Sequence, residues 1–414
     1  MKTTIFNKKA LAFFGAAAIL LAAVFTIGCK TDTGSGDPAP ETFTVEMKAG
    51  EHGTLTANPV IPAGGKVAKD KVITFTAAPA TGYKVDKWTI TGGAFEAGTG
   101  TDGSTTAKVK ISANTKVNVS FISSMYAIVP FGANGAGLDN HLKNTAPHTD
   151  GIYYIKVTGL TAADLKGDHT NSPPAPSPLG KILNDNPTKK VALKLSEVSG
   201  LTDMSACFVN CKSLTQAPEI PNGVTNMQDC FLFCTSLTQA PVIPSSVTNM
   251  IGCFAICESL IQAPVIPSGV TNMIGCFAGC KSLIQAPVIP SGVTNMQACF
   301  AVCESLTQAP VIPSNVTNMY QCFFGCTSLT QTPEIPSKVT NMHSCFEGCK
   351  NITAVTLKCN YNSEQINGFP AFKDAFKDCE KLTAGSIKVP SGQVQTYQDN
   401  ARIMDAQENW FVAE

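Results

Sequence analysis

The chain has 414 residues, of which 14% are charged, with 30 Lys and Arg against 30 Asp and Glu. That length accommodates two or three domains. The neutral balance and a lone arginine, Arg402, argue against a nucleic-acid partner, because Arg is the preferred bidentate reader of phosphates and bases.

Residues 1–28 form a targeting segment. Lys2, Lys8 and Lys9 make a basic start, and Ala10 to Ile27 is apolar and uncharged. Its length also suits an uncleaved membrane anchor, but small residues cluster near its end and Gly28-Cys29 follows at once. This arrangement resembles a bacterial lipoprotein signal, although Thr26 stands where that signal prefers Leu. The resemblance implies that Cys29 is lipidated and becomes the new N-terminus, which places the protein in the bacterial cell envelope, lipid-anchored at the outer membrane or cell surface. Residues 29–41, rich in Gly, Ser, Pro and Asp, follow as a flexible tether.

Residues 42–122 change character. Phe43–Met47, Val72–Ala77, Tyr83–Ile90, Ala107–Ile111 and Val117–Phe121 alternate apolar with polar residues, and turns at Gly53, Gly64-Gly65, Gly82, Gly92-Gly93 and Asp102-Gly103 separate them. Period two between such turns predicts a small antiparallel β domain with Trp88 in its core. Gly82-Tyr-Lys-Val-Asp-Lys-Trp88, with Gly53–Ala57, Val72–Pro79 and Val117–Phe121, resembles the internalin B-repeat-like domain, which implies a spacer or interaction module of surface proteins.

Residues 123–200 are less regular. The pattern predicts short helices over 135–143 and 177–183, a loop at 171–178 rich in proline, and strands at 152–157 and 190–195. Since a repeat array exposes its core at each end, this segment is expected to cap the repeats. His141, His148 and His169 sit near Asp139, Asp150 and Asp168, but in no known metal-ligand spacing, and no metal or cofactor is expected.

From Leu214 one 23-residue unit recurs six times, and Cys-Phe-x-x-Cys steps by 23 from Cys207 and Cys211 to Cys345 and Cys349. A fixed period of this size signals a stacked solenoid. Counting from Leu214, position 1 is Leu, position 7 Ile, position 11 Val, position 14 Met and position 18 Phe in each copy. These make the interior. Positions 6 and 15 change polarity and are expected to face out. Pro at positions 5 and 8 bars long strands, leaving a short strand near positions 2–4 and a helical or 3₁₀ turn around Cys-Phe-x-x-Cys. Roughly eight coils at about 4.8 Å predict a solenoid near 40 Å long.

The unit Val-Thr-Asn-Met-x-x-x-Phe-x-x-Cys-x-Ser-Leu resembles the BspA-like leucine-rich repeat of bacterial surface lipoproteins. The fold class is then mostly β and irregular: a leucine-rich repeat solenoid over 201–382 and a C-terminal cap over 383–414, with the small β domain in front. The resemblance also implies adhesion to host or cell-surface protein.

The second cysteine column, Cys211, Cys234, Cys257, Cys280, Cys303, Cys326, Cys349 and Cys379, is expected to be a structural ladder of small buried side chains. Ala375 replaces the first cysteine in the last copy, as a packing position would allow. A bond within one pair needs Cβ atoms about 3.5–4.5 Å apart, against about 5–6 Å on a helical turn. Disulfides between coils and a zinc site between coils stay open. Asn at position 13 suits a structural amide ladder. The Gln column at position 3, Gln216, Gln239, Gln262, Gln285, Gln308 and Gln331, is the candidate binding face, flanked by Thr or Ile at position 2.

No nucleophile motif, phosphate loop or recurrent carboxylate pair is present, so no catalytic residue is assigned and no enzyme is expected. The leading expectation is a non-enzymatic surface lipoprotein with a binding face. A structural, envelope-organising lipoprotein without an external ligand is the second. Carbohydrate binding ranks third, because it needs exposed aromatics and the repeats supply little besides Tyr320.

Overall fold

The computed structural model describes residues 40–414; the signal segment, Cys29 and most of the tether lie outside the described residues. The chain divides into two compact units. One takes residues up to 49 with 55–77 and 87–119, and the other takes 50–54, 78–86 and 120–414.

Seven strands make up the N-terminal module: β1 (Thr42–Ala49), β2 (Gly53–Asn58), β3 (Lys66–Ala68), β4 (Val72–Pro79), β5 (Tyr83–Thr91), β6 (Thr106–Lys110) and β7 (Thr115–Ser123). They form one sheet in the order β3-β1-β7-β5 and another in the order β2-β4-β6. Alternation buries one side of the inner strands, as in the Val72–Pro79 pattern with Ile73, Phe75 and Ala77 inside. Trp88 is buried, donates from Nε1 to the Ser104 carbonyl at 2.7 Å and meets Phe95 edge-on. One pair departs from the antiparallel expectation. β1 runs parallel to β7, with Val45 opposite Thr115, and strand periodicity carries no information on pairing direction.

The second unit is a stack of parallel strands and turns. β8 (Ala127–Pro130), β9 (Tyr153–Thr158), β10 (Val191–Leu195) and β11 (Leu214–Gln216) pair in parallel order. The expected cap is therefore itself built as coils continuing the repeat sheet. Its helices are α1 (Ala136–Asn144) and α2 (Pro178–Asp185). Ser177 caps α2 by accepting from the Gly180 amide, and its hydroxyl donates to the Cys207 carbonyl at 2.9 Å. A Cβ on Gly180 would sit 2.2 Å from that carbonyl, so only glycine lets α2 lie against the first coil.

At the far end β12 (Glu334–Ile335), β13 (Val355–Leu357), β16 (Ile387–Val389) and β17 (Phe411–Ala413) extend the parallel ladder, and β14 (Gln365–Ile366) with β15 (Phe369–Pro370) forms a small hairpin. From α3 (Val394–Asp399), the buried Tyr397 closes the core. Its hydroxyl donates to the Cys359 carbonyl at 3.1 Å, which places Cys359 in the terminal packing.

Within the repeats the interior positions are buried in every coil. Eight phenylalanines from Phe208 to Phe376 stack in one column, with ring planes within 13° of parallel. Proline leaves almost no strand: coils touch as parallel β at a single residue on each side, the Gln column and the Asn column. The Asn amides do two jobs. Asn226 Oδ1 accepts from the Gln228 amide of its own coil, and Asn249 Nδ2 donates to Asn226 Oδ1 of the coil before.

The Cys-Phe-x-x-Cys segment is not a helix. Positions 16 and 20 are left-handed even where they are not glycine, as at Asp229, Phe233, Ile256, Ala298 and Val302. Right- and left-handed residues in alternation aim successive amides along and across the stack. Met227, Asp229, Phe231 and Phe233 donate to the next coil at 2.8–3.0 Å, while Cys230 and Cys234 donate back three residues within their own turn. From Cys234 onward each second-column thiol donates to the phenylalanine carbonyl of the preceding coil, as Cys234 to Phe208 at 3.1 Å and Cys280 to Phe254 at 3.2 Å, while Cys211 donates to the Gly180 carbonyl at 3.4 Å. All sixteen cysteines of the described residues are free and buried.

Three substitutions separate these roles. Phe277→Ala is expected to cost about 3–5 kcal/mol. Cys280→Ala costs about 1 kcal/mol, since the Phe254 carbonyl keeps the Cys257 amide as a donor. Cys276→Ala costs less, because Ala375 already occupies that position in a folded coil. Denaturant unfolding measures the order, and equal costs for Cys276→Ala and Phe277→Ala would refute a packing role for the first column.

Burial pushes the Cys207, Cys280 and Cys326 thiols up from 9.0 to about 12. The folded chain keeps protons that the unfolded chain releases above about pH 9. Stability is thus complete below that pH and falls as pH rises toward 12, by up to about 1.4 kcal/mol per pH unit for each such thiol. Thermal unfolding across that range tests the slope. Iodoacetamide without reductant should leave the native thiols untouched and label all sixteen after denaturation; few labelled sites would reveal disulfides.

Candidate binding face

Proline sets the geometry of the outward stripe. Pro at positions 5 and 8 holds the backbone extended between them, so position 7 turns into the core and position 6 turns out. Ile243, Ile266, Ile289 and Ile312 are buried, whereas Val242, Val265, Val288 and Val311 are 79%, 88%, 89% and 87% exposed. Four valines in register form an uncharged ridge, with Glu219 and Glu334 at the same position in the flanking copies.

The Gln column lies beside this ridge. Gln216, Gln239, Gln262, Gln285, Gln308 and Gln331 are all exposed, and their backbones pair from coil to coil. Gln308 Nε2 lies 3.4 Å from Gln331 Oε1. Ile261 and Ile284 at position 2 are about half exposed and extend the apolar surface on the other side of the column. Between neighbouring coils the stripe dips into shallow grooves. One, of about 340 Å³, runs between Gln285, Pro287 and Val288 and Gln308, Pro310 and Val311. A second, of about 360 Å³, repeats it one coil earlier. The face is therefore periodic, mixing amide donors and acceptors with apolar ridges.

The structure thus unites the Gln column and the outward valines of position 6 in one surface. The signal was present as Pro-Val-Ile-Pro in four consecutive copies. Position 15 is half-buried and not fully outward, because its amide is tied to the Asn ladder. The eight second-column cysteines lie in the interior, far from use as a surface. The aspartates of 139–169 are engaged by other side chains: Asp139 by Lys143 and Asn186, Asp150 by Tyr154, and Asp168 by Thr170 and Asn171. No group of metal-binding side chains occurs among the described residues, and no helix there is long and apolar enough to cross a membrane.

The family model for the BspA type leucine-rich repeat region matches residues 201–307 and 274–401, and that for the divergent InlB B-repeat domain matches 43–124. Among solved structures, a leucine-rich repeat protein from Bacteroides ovatus ATCC 8483 is 16% identical over 56% of this chain and 79% of its own, with a TM-score of 0.26. A leucine-rich cell surface protein from Faecalibacterium prausnitzii A2-165 is 17% identical over 66% of this chain and 79% of its own, with a TM-score of 0.31. No curated protein matches. The chain accordingly joins a divergent InlB B-repeat domain to BspA-type leucine-rich repeats.

Proposed function

We propose that this is a non-enzymatic bacterial cell-surface protein, lipid-anchored through Cys29, whose repeats adhere to protein on a host or another cell. The observation that carries the reading is the valine ridge. Four large apolar side chains lie 79–89% exposed in one line, which soluble surfaces rarely retain without a partner. A repeat array supplies the extended surface such a contact needs. Each coil adds a copy of the same weak contact, and the copies act together because the stack is rigid. The face carries amides and apolar groups without Lys or Arg, which suits a protein surface and not a polyanion.

Val265→Asp with Val288→Asp is expected to lower adhesion of cells displaying the full chain to immobilised extracellular-matrix proteins by at least about ten-fold, the effect of burying unpaired charge at an interface. Thermal unfolding should change little, because both side chains are exposed. Adhesion equal to wild type would refute this face.

Anchoring is tested separately. Cys29→Ala should abolish incorporation of a labelled fatty acid and release the protein from the membrane fraction. Retained label would refute the anchor, and repeats protected from protease on intact cells would refute surface display.

A further inference from the structure

Position 15 reads Gln228, Ile251, Ile274 and Gln297, and then becomes Tyr320 and His343. The next interval breaks the period. Cys349 and Cys379 stand thirty residues apart where the repeat would give 23, and the intervening chain contains the β14–β15 hairpin. That hairpin delivers Phe369 to the same column. The Tyr320 and His343 rings lie 5.1 Å apart, His343 and Phe369 5.2 Å apart, both edge to face. Phe369 is 47% exposed, and Tyr320 and His343 are half-buried. The Lys373 ammonium stands 5.2 Å from the Phe369 centroid.

We propose that Tyr320, His343 and Phe369, with Lys373, form a shallow platform that binds a neutral saccharide. The apolar face of one sugar ring would rest on Phe369 and that of a neighbouring ring in the chain on Tyr320. Their hydroxyls would meet the Tyr320 hydroxyl, the His343 imidazole and the Lys373 ammonium.

The core does not require these rings, since Gln and Ile occupy the same position in intact coils. Insertions in repeat arrays gather on one face, often the binding face. Tyr320 and His343 pair apolar bodies with polar tips, and Phe369 adds a purely apolar face, as sugar rings demand. Their backbones are preset, because the Tyr320 and His343 amides bond to Asn318 and Asn341 at 3.0 and 3.2 Å. Charge here is balanced: Lys373 lies 3.7 Å from Asp374, and Lys377 2.6 Å from Glu347. That favours a neutral ligand over an ionic one. The platform occupies a different column from the valine ridge, so it stands or falls separately from protein adhesion.

The full chain would be titrated by calorimetry with neutral gluco-, manno-, galacto- and xylo-oligosaccharides and N-acetylhexosamine oligomers, with a sialylated oligosaccharide and a Lys- and Arg-free peptide as comparisons. At least one neutral saccharide should bind saturably. Phe369→Ala and Tyr320→Ala should each weaken it about ten-fold, Phe369→Trp should retain it, and Val265→Asp with Val288→Asp should leave it unchanged. Tyr320 lies in a regular coil, so its variant separates loss of binding from loss of the hairpin. Absence of binding by every neutral saccharide, unchanged affinity in both alanine variants, or binding of the sialylated or peptide probe alone would overturn the proposal.

Discussion

The repeats depend on amides that point along the stack. Alternate residues around Cys-Phe-x-x-Cys donate to the next coil, and the residues between them close their own turn. Left-handed residues at positions 16 and 20 make this alternation possible, and residues as bulky as Phe233, Ile256 and Val302 accept that conformation. The local cost is about 1–2 kcal/mol for such a residue, and two inter-coil hydrogen bonds with a buried phenylalanine offset it. Everything else follows the 23-residue period those bonds impose. The Phe rings must stack, the Asn amides must meet, and the outward side chains must fall into straight columns.

The cysteines belong to this arrangement as packing and as hydrogen-bond donors. A thiol fits where the turn leaves space for one small side chain, and in the second column it adds a donor to a carbonyl of the neighbouring coil. Desolvation holds these thiols protonated, which removes the reactive thiolate. All sixteen cysteines of the described residues can therefore stay free in the fold. The same burial makes the folded state sensitive to alkali.

The interior was legible because it repeats. Six copies of Leu, Ile, Val, Met and Phe at fixed positions leave little freedom in assigning the core, and the Asn column announces its ladder. The helices near 135–143 and 177–183 and most strands of 42–122 follow from ordinary periodicity and turn chemistry. The candidate face was half legible. The Gln column stood out by recurrence and position 6 by its change of polarity, but only the structure joins the two into one surface. The aromatic cluster was less legible still, since Phe369 reaches His343 only through a hairpin inserted into the last interval.

The sequence by itself determined the period, the identity of the buried columns, the two-module order and the lack of a familiar catalytic motif, because each is written in local spacing and composition. Tertiary structure alone decided how the Cys-Phe turns alternate in handedness, that β1 and β7 run parallel, that the segment before the repeats is built as further coils, and which outward residues share a surface. Those outcomes depend on pairing direction, amide orientation and contacts between residues one coil or one insertion apart. None of these is encoded in a residue's immediate neighbours; each is settled only when the coils stack and their hydrogen bonds have to close.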